Sequence, residues 1–244
     1  MIAEMVRPTT APKYPPDEYT LGIGLYTPAE AALYARVRTQ TLNRWVFGDA
    51  RNSGVVEAQI ANANERTVSF LDFVQTMAIR AIRSQFDVPL QKIRKAVDIA
   101  SETFDTKYPF AMRHKTFVIR EGSAAGELVL EREGHHVQIS GKNKKQHLFG
   151  EIAELYMDQV QFGPDGLAAG YTAWGTGPDT IQMNPHIRFG EPIVADCGYS
   201  AHALWEAVRT EGGISAAADA YGVPENKIRL ACSYFDHLIN RDVA

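Results

Sequence analysis

Arg36, Arg38, Thr39, Gln40, Asn43 and Arg44 crowd one short stretch of the chain. These side chains suit nucleic acid. The amides of Gln and Asn can pair adenine through two hydrogen bonds, and a guanidinium can pair guanine or grip a phosphate. Arg51, a few residues further on in Phe47–Gly54, would add a backbone contact from an exposed loop or wing rich in turn formers.

Chemistry of this kind needs a rigid platform, and the flanking residues describe one. Thr27, Pro28 and Glu30 supply an N-cap, a first-turn proline and a capping-box acid, so a helix is predicted to start there. Ala31, Ala32, Leu33 and Ala35 give it a small apolar side that admits a close neighbour. A polar turn at Arg36–Arg38 then precedes a second apolar set, Thr41, Leu42 and Trp45. The segment Tyr26–Trp45 therefore reads as a helix-turn-helix whose second helix exposes Thr39, Gln40, Asn43 and Arg44. The competing reading is an ordinary helical hairpin with a solvated polar side.

Charge separates the two halves of the chain. Residues 1–115 hold 15 Lys and Arg against 12 Asp and Glu, a net of +3, while residues 116–244 hold 10 against 17, a net of −7. The whole-chain value of −4 conceals a front half compatible with phosphate and a rear half suited to a basic protein partner.

Other chemistries find little support. There is no phosphate-cradling Gly-x-x-x-x-Gly-Lys-Ser/Thr, no Gly-x-Ser-x-Gly elbow and no Cys-x-x-Cys pair. His135 and His136 are neighbours on a predicted strand and point to opposite faces, which argues against a shared metal. The pairs Glu151/Glu154 and Glu131/Glu133 are typical of solvated faces. No catalytic residue, metal or cofactor is expected, and the chain reads as a non-enzyme. Cys197 and Cys232, far apart and without a secretory leader, fit a reducing cytoplasm; no run of about 18 apolar residues would span a membrane.

The remaining sequence predicts an α+β, mostly helical protein. Residues 1–20 are proline-rich and read as a flexible tail, and residues 55–66 as a mobile stretch. Phe70, Phe73, Val74, Met77 and Ile82 recur at helical spacing, as do Leu90, Ile93, Val97, Ala100 and Phe104; Asp87 and Pro89 punctuate them, with Asp87 as the cap of the second helix. Arg80, Arg83, Lys92, Arg94 and Lys95 would form a basic outer face, either solvated or supporting phosphate. Residues 116–120, 127–132 and 136–140 alternate as short strands of a small antiparallel sheet joining the halves. Residues 151–162 read as a helix. The end of the chain predicts helices at 199–209, 216–221, capped by Ser215, and 225–238, a second outline of helix-turn-helix type.

Several separated stretches share one known pattern. The front motif, Ser69–Val74, Pro89–Ala96, Asn184–Val194 and Ile214–Gly222 resemble bacterial proteins grouped as domain of unknown function 433, with a front helix-turn-helix of MerR-like type. In its long form that family is similar to VapB-like antitoxins of VapBC toxin-antitoxin pairs. The resemblance implies autorepression through operator DNA and neutralisation of a VapC-like, PIN-domain ribonuclease toxin. One departure stands out. Where many members carry Gly-Thr-Arg-Ile after the Phe-Gly-x-Pro-Ile-Val element, this chain has Ala195-Asp-Cys-Gly198. Arg188, Arg209 and Arg229 are then the candidates to reach an acidic toxin centre.

The expected organisation is a tail at 1–20, a DNA-binding domain with its helical pair at 21–115, a connector of β-structure and helix at 116–180, and a helical domain at 181–244. A homodimer is expected, because two recognition helices set one helical turn apart, about 34 Å, read a palindrome. Two other functions compete: a one-component transcriptional regulator without a toxin partner, and an enzyme of unrecognised type.

Overall fold

The computed structural model describes residues 23–60, 66–113, 115–119, 127–132, 135–138 and 157–240. The expected tail at 1–20, part of the expected mobile stretch and residues 151–156 lie outside them. Helices α1 (Pro28–Tyr34) and α2 (Thr39–Val46) make the front motif, followed by α3 (Phe70–Phe86) and α4 (Leu90–Phe104). Strands β1 (Lys115–Ile119), β2 (Glu127–Arg132) and β3 (His135–Gln138) form an antiparallel meander, pairing Phe117 with Val129 and Leu130 with Val137. A second antiparallel sheet, in the order β4-β5-β6-β7, comprises Val160–Phe162, Ala168–Thr176, Asp179–Met183 and Ile193–Val194. Helices α5 (Ala201–Thr210), α6 (Ile214–Tyr221) and α7 (Glu225–Ile239) close the chain. The α+β, mostly helical architecture with a helix-turn-helix at the front is as the residue pattern predicts.

Local chemistry accounts for the helix ends. Thr27 Oγ1 accepts from the Glu30 amide at 3.2 Å and Glu30 Oε2 accepts from the Thr27 amide at 2.8 Å, so both halves of the capping box are made. Ser69 and Asp72 repeat the device on α3. Asp87 ends α3 in the left-handed region at φ 51° instead of capping α4, whose N-cap is Pro89. Ser215 likewise lies within α6, which starts from Gly213, while Ser200 caps α5.

Two apolar clusters fill the interior. Leu42, Trp45, Phe70, Phe73, Ile79 and Ile93 belong to the first, which also takes in Tyr171 and Met183 of the second sheet. The second cluster gathers Leu204, Ala217, Ile228, Tyr234 and Phe235 with Ile181 and Val194 of the same sheet. The sheet β4–β7 therefore joins the two halves, a connection that the residue pattern does not predict. The predicted helix at 151–162 is also replaced, over 157–162, by a 3₁₀ turn and β4, because Val160 pairs with Tyr171 across the ladder.

One glycine ties the front of the chain to the rear. Tyr26 Oη donates to the Gly190 carbonyl at 2.8 Å. Gly190 sits at φ 89°, and a Cβ there would come within 2.1 Å of that hydroxyl, so neither the backbone nor the space admits a side chain.

Asp72 carries a pH dependence. It is fully buried, and its carboxylate accepts from the amides of Ser69 at 3.1 Å and Gln59 at 3.2 Å. Burial outweighs those bonds and raises its pKa to about 6 from 3.8. The folded state therefore binds the proton more tightly than the unfolded chain, so the stability this proton supplies is complete below about pH 4 and is lost as pH rises through 6. Between pH 7 and pH 5 the wild type should gain about 1 kcal/mol relative to Asp72→Asn in urea unfolding. Parallel pH profiles for the two proteins would refute this origin.

Candidate nucleic-acid interface

The two front helices cross because Ala31, Ala32 and Ala35 are buried and keep their facing surfaces thin. Arg36 turns the chain with a left-handed φ of 51°, and Val37, 6 % exposed, anchors the turn before α2 begins. Leu42, Trp45 and Val46 face inward; Leu33 is only half-buried. The opposite side of α2 exposes Arg38, Thr39, Gln40 and Arg44. No side chain caps the α2 N-terminus, which leaves its first-turn amides to an outside acceptor.

Asn43 and Arg36 behave differently from the other predicted contacts. Asn43 is half-buried: its Nδ2 donates to the Thr39 carbonyl at 3.0 Å and its Oδ1 accepts from Arg66 at 3.2 Å. Both ends of the amide are therefore engaged within the chain. Arg36 points away from α2 altogether, toward the C-terminal helix, where Nη1 lies 2.8 Å from His237 Nε2. A partner 201 positions away in sequence overrides the local pattern.

Residues 47–56 form a loop. Asp49 Oδ1 accepts from the amides of Arg51 and Asn52, both at 2.9 Å, which fixes the turn and leaves the Arg51 side chain exposed. Those bonds hold the Asp49 carboxyl below its ordinary range, with a smaller contribution from the positive charge of Arg44. Arg94 Nη2 braces the loop through the Ser53 carbonyl at 3.2 Å. Arg66, missed from the sequence because it lies at the end of a stretch read as mobile, stands over the Phe47 ring at 5.4 Å and supports Asn43. Among the described residues, Arg38, Arg44 and Arg51 form no ion pair, so their charge remains directed to solvent.

The expected basic face of α3 and α4 is dispersed. Arg80 lines a partly open cavity with Arg36, Arg83 reaches the Val88 carbonyl, and Arg94 serves the loop. The loop also borders an open groove of about 1150 Å³, lined by Asp98, Glu102 and Asp105 and by Glu57, which pairs with Lys107 at 3.1 Å. Three carboxylates there are left without that lysine, a surface that disfavours phosphate.

The three rear arginines are each matched by a nearby acid. Arg188 pairs with Glu191 at 2.8 Å, Arg209 with Glu206 at 2.8 Å and Arg229 with Glu225 at 2.9 Å. Among the described residues nothing joins the three into one cluster. Arg188 differs in its setting: it and Phe189 both hold positive φ, and Ile187 and Phe189 on either side of it are exposed apolar residues. The departure at Ala195–Gly198 also has a structural counterpart. Asp196, with Asp179, accepts from the buried Lys227 ammonium at 2.5 and 2.7 Å, locking α7 to the sheet. Both bonds raise the Lys227 pKa.

Among the described residues no group of three or more His, Cys, Asp or Glu could hold a metal, and no helix is long and apolar enough to cross a membrane.

The chain is 27 % identical over 234 residues to a Mycobacterium tuberculosis protein named "Putative antitoxin VapB45", covering 88 % of this chain and 95 % of that one. The crystal structure of Rv2018 from Mycobacterium tuberculosis superposes with a TM-score of 0.58 at 23 % identity, over 84 % of this chain and 96 % of that chain, a likeness of fold. Residues 24–97, which span both helices of the interface, all of α3 and half of α4, match the family described as "Putative DNA-binding HTH domain".

Proposed function

We propose that this protein is a DNA-binding antitoxin: an autorepressor that reads operator DNA through α2 and neutralises a PIN-domain ribonuclease encoded with it. The observation that carries the DNA half is the exposed row of Arg38, Thr39, Gln40 and Arg44, whose two arginines form no ion pair among the described residues, on a helix whose other side is locked into the core. Gln40 and Arg44 face base edges in this reading, Arg38 and the free α2 amides meet phosphate, and Arg51 adds a second phosphate contact. Asn43 takes a supporting role with Arg66, since its amide is already satisfied. Binding as a homodimer supplies enough base pairs for specificity. The kinship with domain of unknown function 433 and the MerR-like character of the motif belong to the same proposal.

Arg51 tests the division between phosphate and base contacts. Arg51→Ala should weaken binding to specific and random duplexes alike and reduce the slope of log affinity against log salt by about one. A loss confined to the specific duplex would assign Arg51 to base reading instead.

The antitoxin half rests on the similarity to a protein of that name and on the acidic rear half. Arg188 is the preferred toxin contact, because Ile187 and Phe189 flank it with exposed apolar surface, a combination common at interface centres. Arg209 and Arg229 remain secondary candidates. Tyr171 and Met183 share a cluster with the front helices, so the test uses substitutions in the full chain and not fragments. Co-expression with the neighbouring nuclease should restore growth, and Arg188→Ala with Phe189→Ala should abolish rescue while leaving operator binding intact. Absence of a nuclease frame beside the gene would favour a one-component regulator.

A further inference from the structure

A cavity of about 270 Å³ lies where the front motif, the second sheet and α7 meet, walled in part by Arg36, Arg80, Tyr171, Trp174, Tyr234 and His237. Its volume equals that of about nine water molecules. Its charge is unbalanced. Two guanidiniums face it, no Asp or Glu is among its described lining residues, and neither arginine forms an ion pair with a described carboxylate.

The hydrogen-bonding capacity is also unspent. Arg36 Nε and Tyr234 Oη are both buried without a partner among the described residues, and Tyr234 is only 2 % exposed. Buried donors are almost always satisfied, so two in one cavity call for an acceptor. His237 does not supply enough. A guanidinium can only donate, so Arg36 Nη1 donates to His237 Nε2 at 2.8 Å and the imidazole is neutral. Its pKa is lowered accordingly, by burial first and then by Arg36 and Arg80. Trp174 lies against that ring with centroids 4.4 Å apart, which fixes the imidazole as one wall. Arg80 shows the same deficit of negative charge: burial and repulsion from Arg36 depress its pKa, opposed only by Tyr171.

We propose that this cavity binds a small oxyanion, a carboxylate or phosphate group, between Arg36 and Arg80, with the Tyr234 hydroxyl as a further donor. Guanidinium forks match both groups geometrically, and the half-buried setting of both arginines strengthens each bond. The ligand is small by the volume available. Arg36 lies two residues before the N-cap of α2, so the site is built into the turn that sets the helix-turn-helix.

Thermal unfolding and calorimetric titration of the full-length protein decide the matter. Sodium phosphate and sodium succinate are each compared with sodium chloride at equal ionic strength. A saturable rise in Tm with phosphate alone, or with succinate alone, identifies which oxyanion the site takes. In Arg80→Gln the dissociation constant should rise about tenfold or more, and in Tyr234→Phe a few-fold, reflecting lost charge-assisted and neutral bonds respectively. Should Arg80→Gln fail to fold, Arg80→Lys, which keeps the charge and loses the fork, should bind more weakly than the wild type. Absence of a saturable effect with both anions, or equal effects in the wild type and the Arg80 variants, overturns the proposal.

Discussion

Trp45→Ala should cost about 3–5 kcal/mol of folding stability, the loss typical of deleting a large aromatic side chain from a packed core. Trp45 is 4 % exposed on the inner side of α2, among residues that hold the two front helices together. Its backbone carbonyl accepts from the Val55 amide at 2.6 Å, so the following loop is anchored at the same point. Trp45→Phe should cost far less, about 1–2 kcal/mol, because the buried indole Nε1 has no partner and its removal breaks no hydrogen bond. Urea unfolding followed by circular dichroism measures both. Equal costs for the two variants would show that ring burial does not organise α2.

The second large effect concerns charge. Arg38→Ala with Arg44→Ala should reduce operator affinity about a hundredfold while changing stability by less than about 0.5 kcal/mol, since both side chains are exposed and unpaired in the free protein. Fluorescence anisotropy at physiological salt measures the affinity, and the melting temperature measures the fold. Retained affinity in the folded double variant would remove α2 from the interface.

Much of the front motif is legible from sequence because its determinants are local. Thr27, Pro28 and Glu30 lie within four positions, and their capping box forms as the spacing requires. The inward set of Leu42 and Trp45 follows from helical period alone. Arg36 is different: its guanidinium answers to His237, and no local pattern can report a contact across 201 positions. The second sheet escaped for a related reason. Ala168–Thr176 contains two glycines and three alanines besides its aromatic residues, so its alternation is weak, and a bulge between Thr172 and Trp174 breaks the period of two. The spacing of Ile152, Leu155, Tyr156 and Val160 predicts a helix, but Val160 joins the ladder through Tyr171. Lys227 gives the converse lesson. As a sequence symbol it marks a solvated helix face, yet Asp179 and Asp196 draw it inside to 7 % exposure.

The central claim, that α2 reads bases, is tested most directly by the sequence preference of one side chain. A duplex selected from a random pool, and versions of it altered at each position in turn, are titrated with the full-length wild type and Gln40→Ala at two salt concentrations. The wild type should discriminate at the position read by Gln40 by about 1–3 kcal/mol, and Gln40→Ala should lose that discrimination there while keeping its salt slope and its affinity for random DNA. An unchanged profile at every position, or an equal loss on selected and random duplexes, would contradict the account.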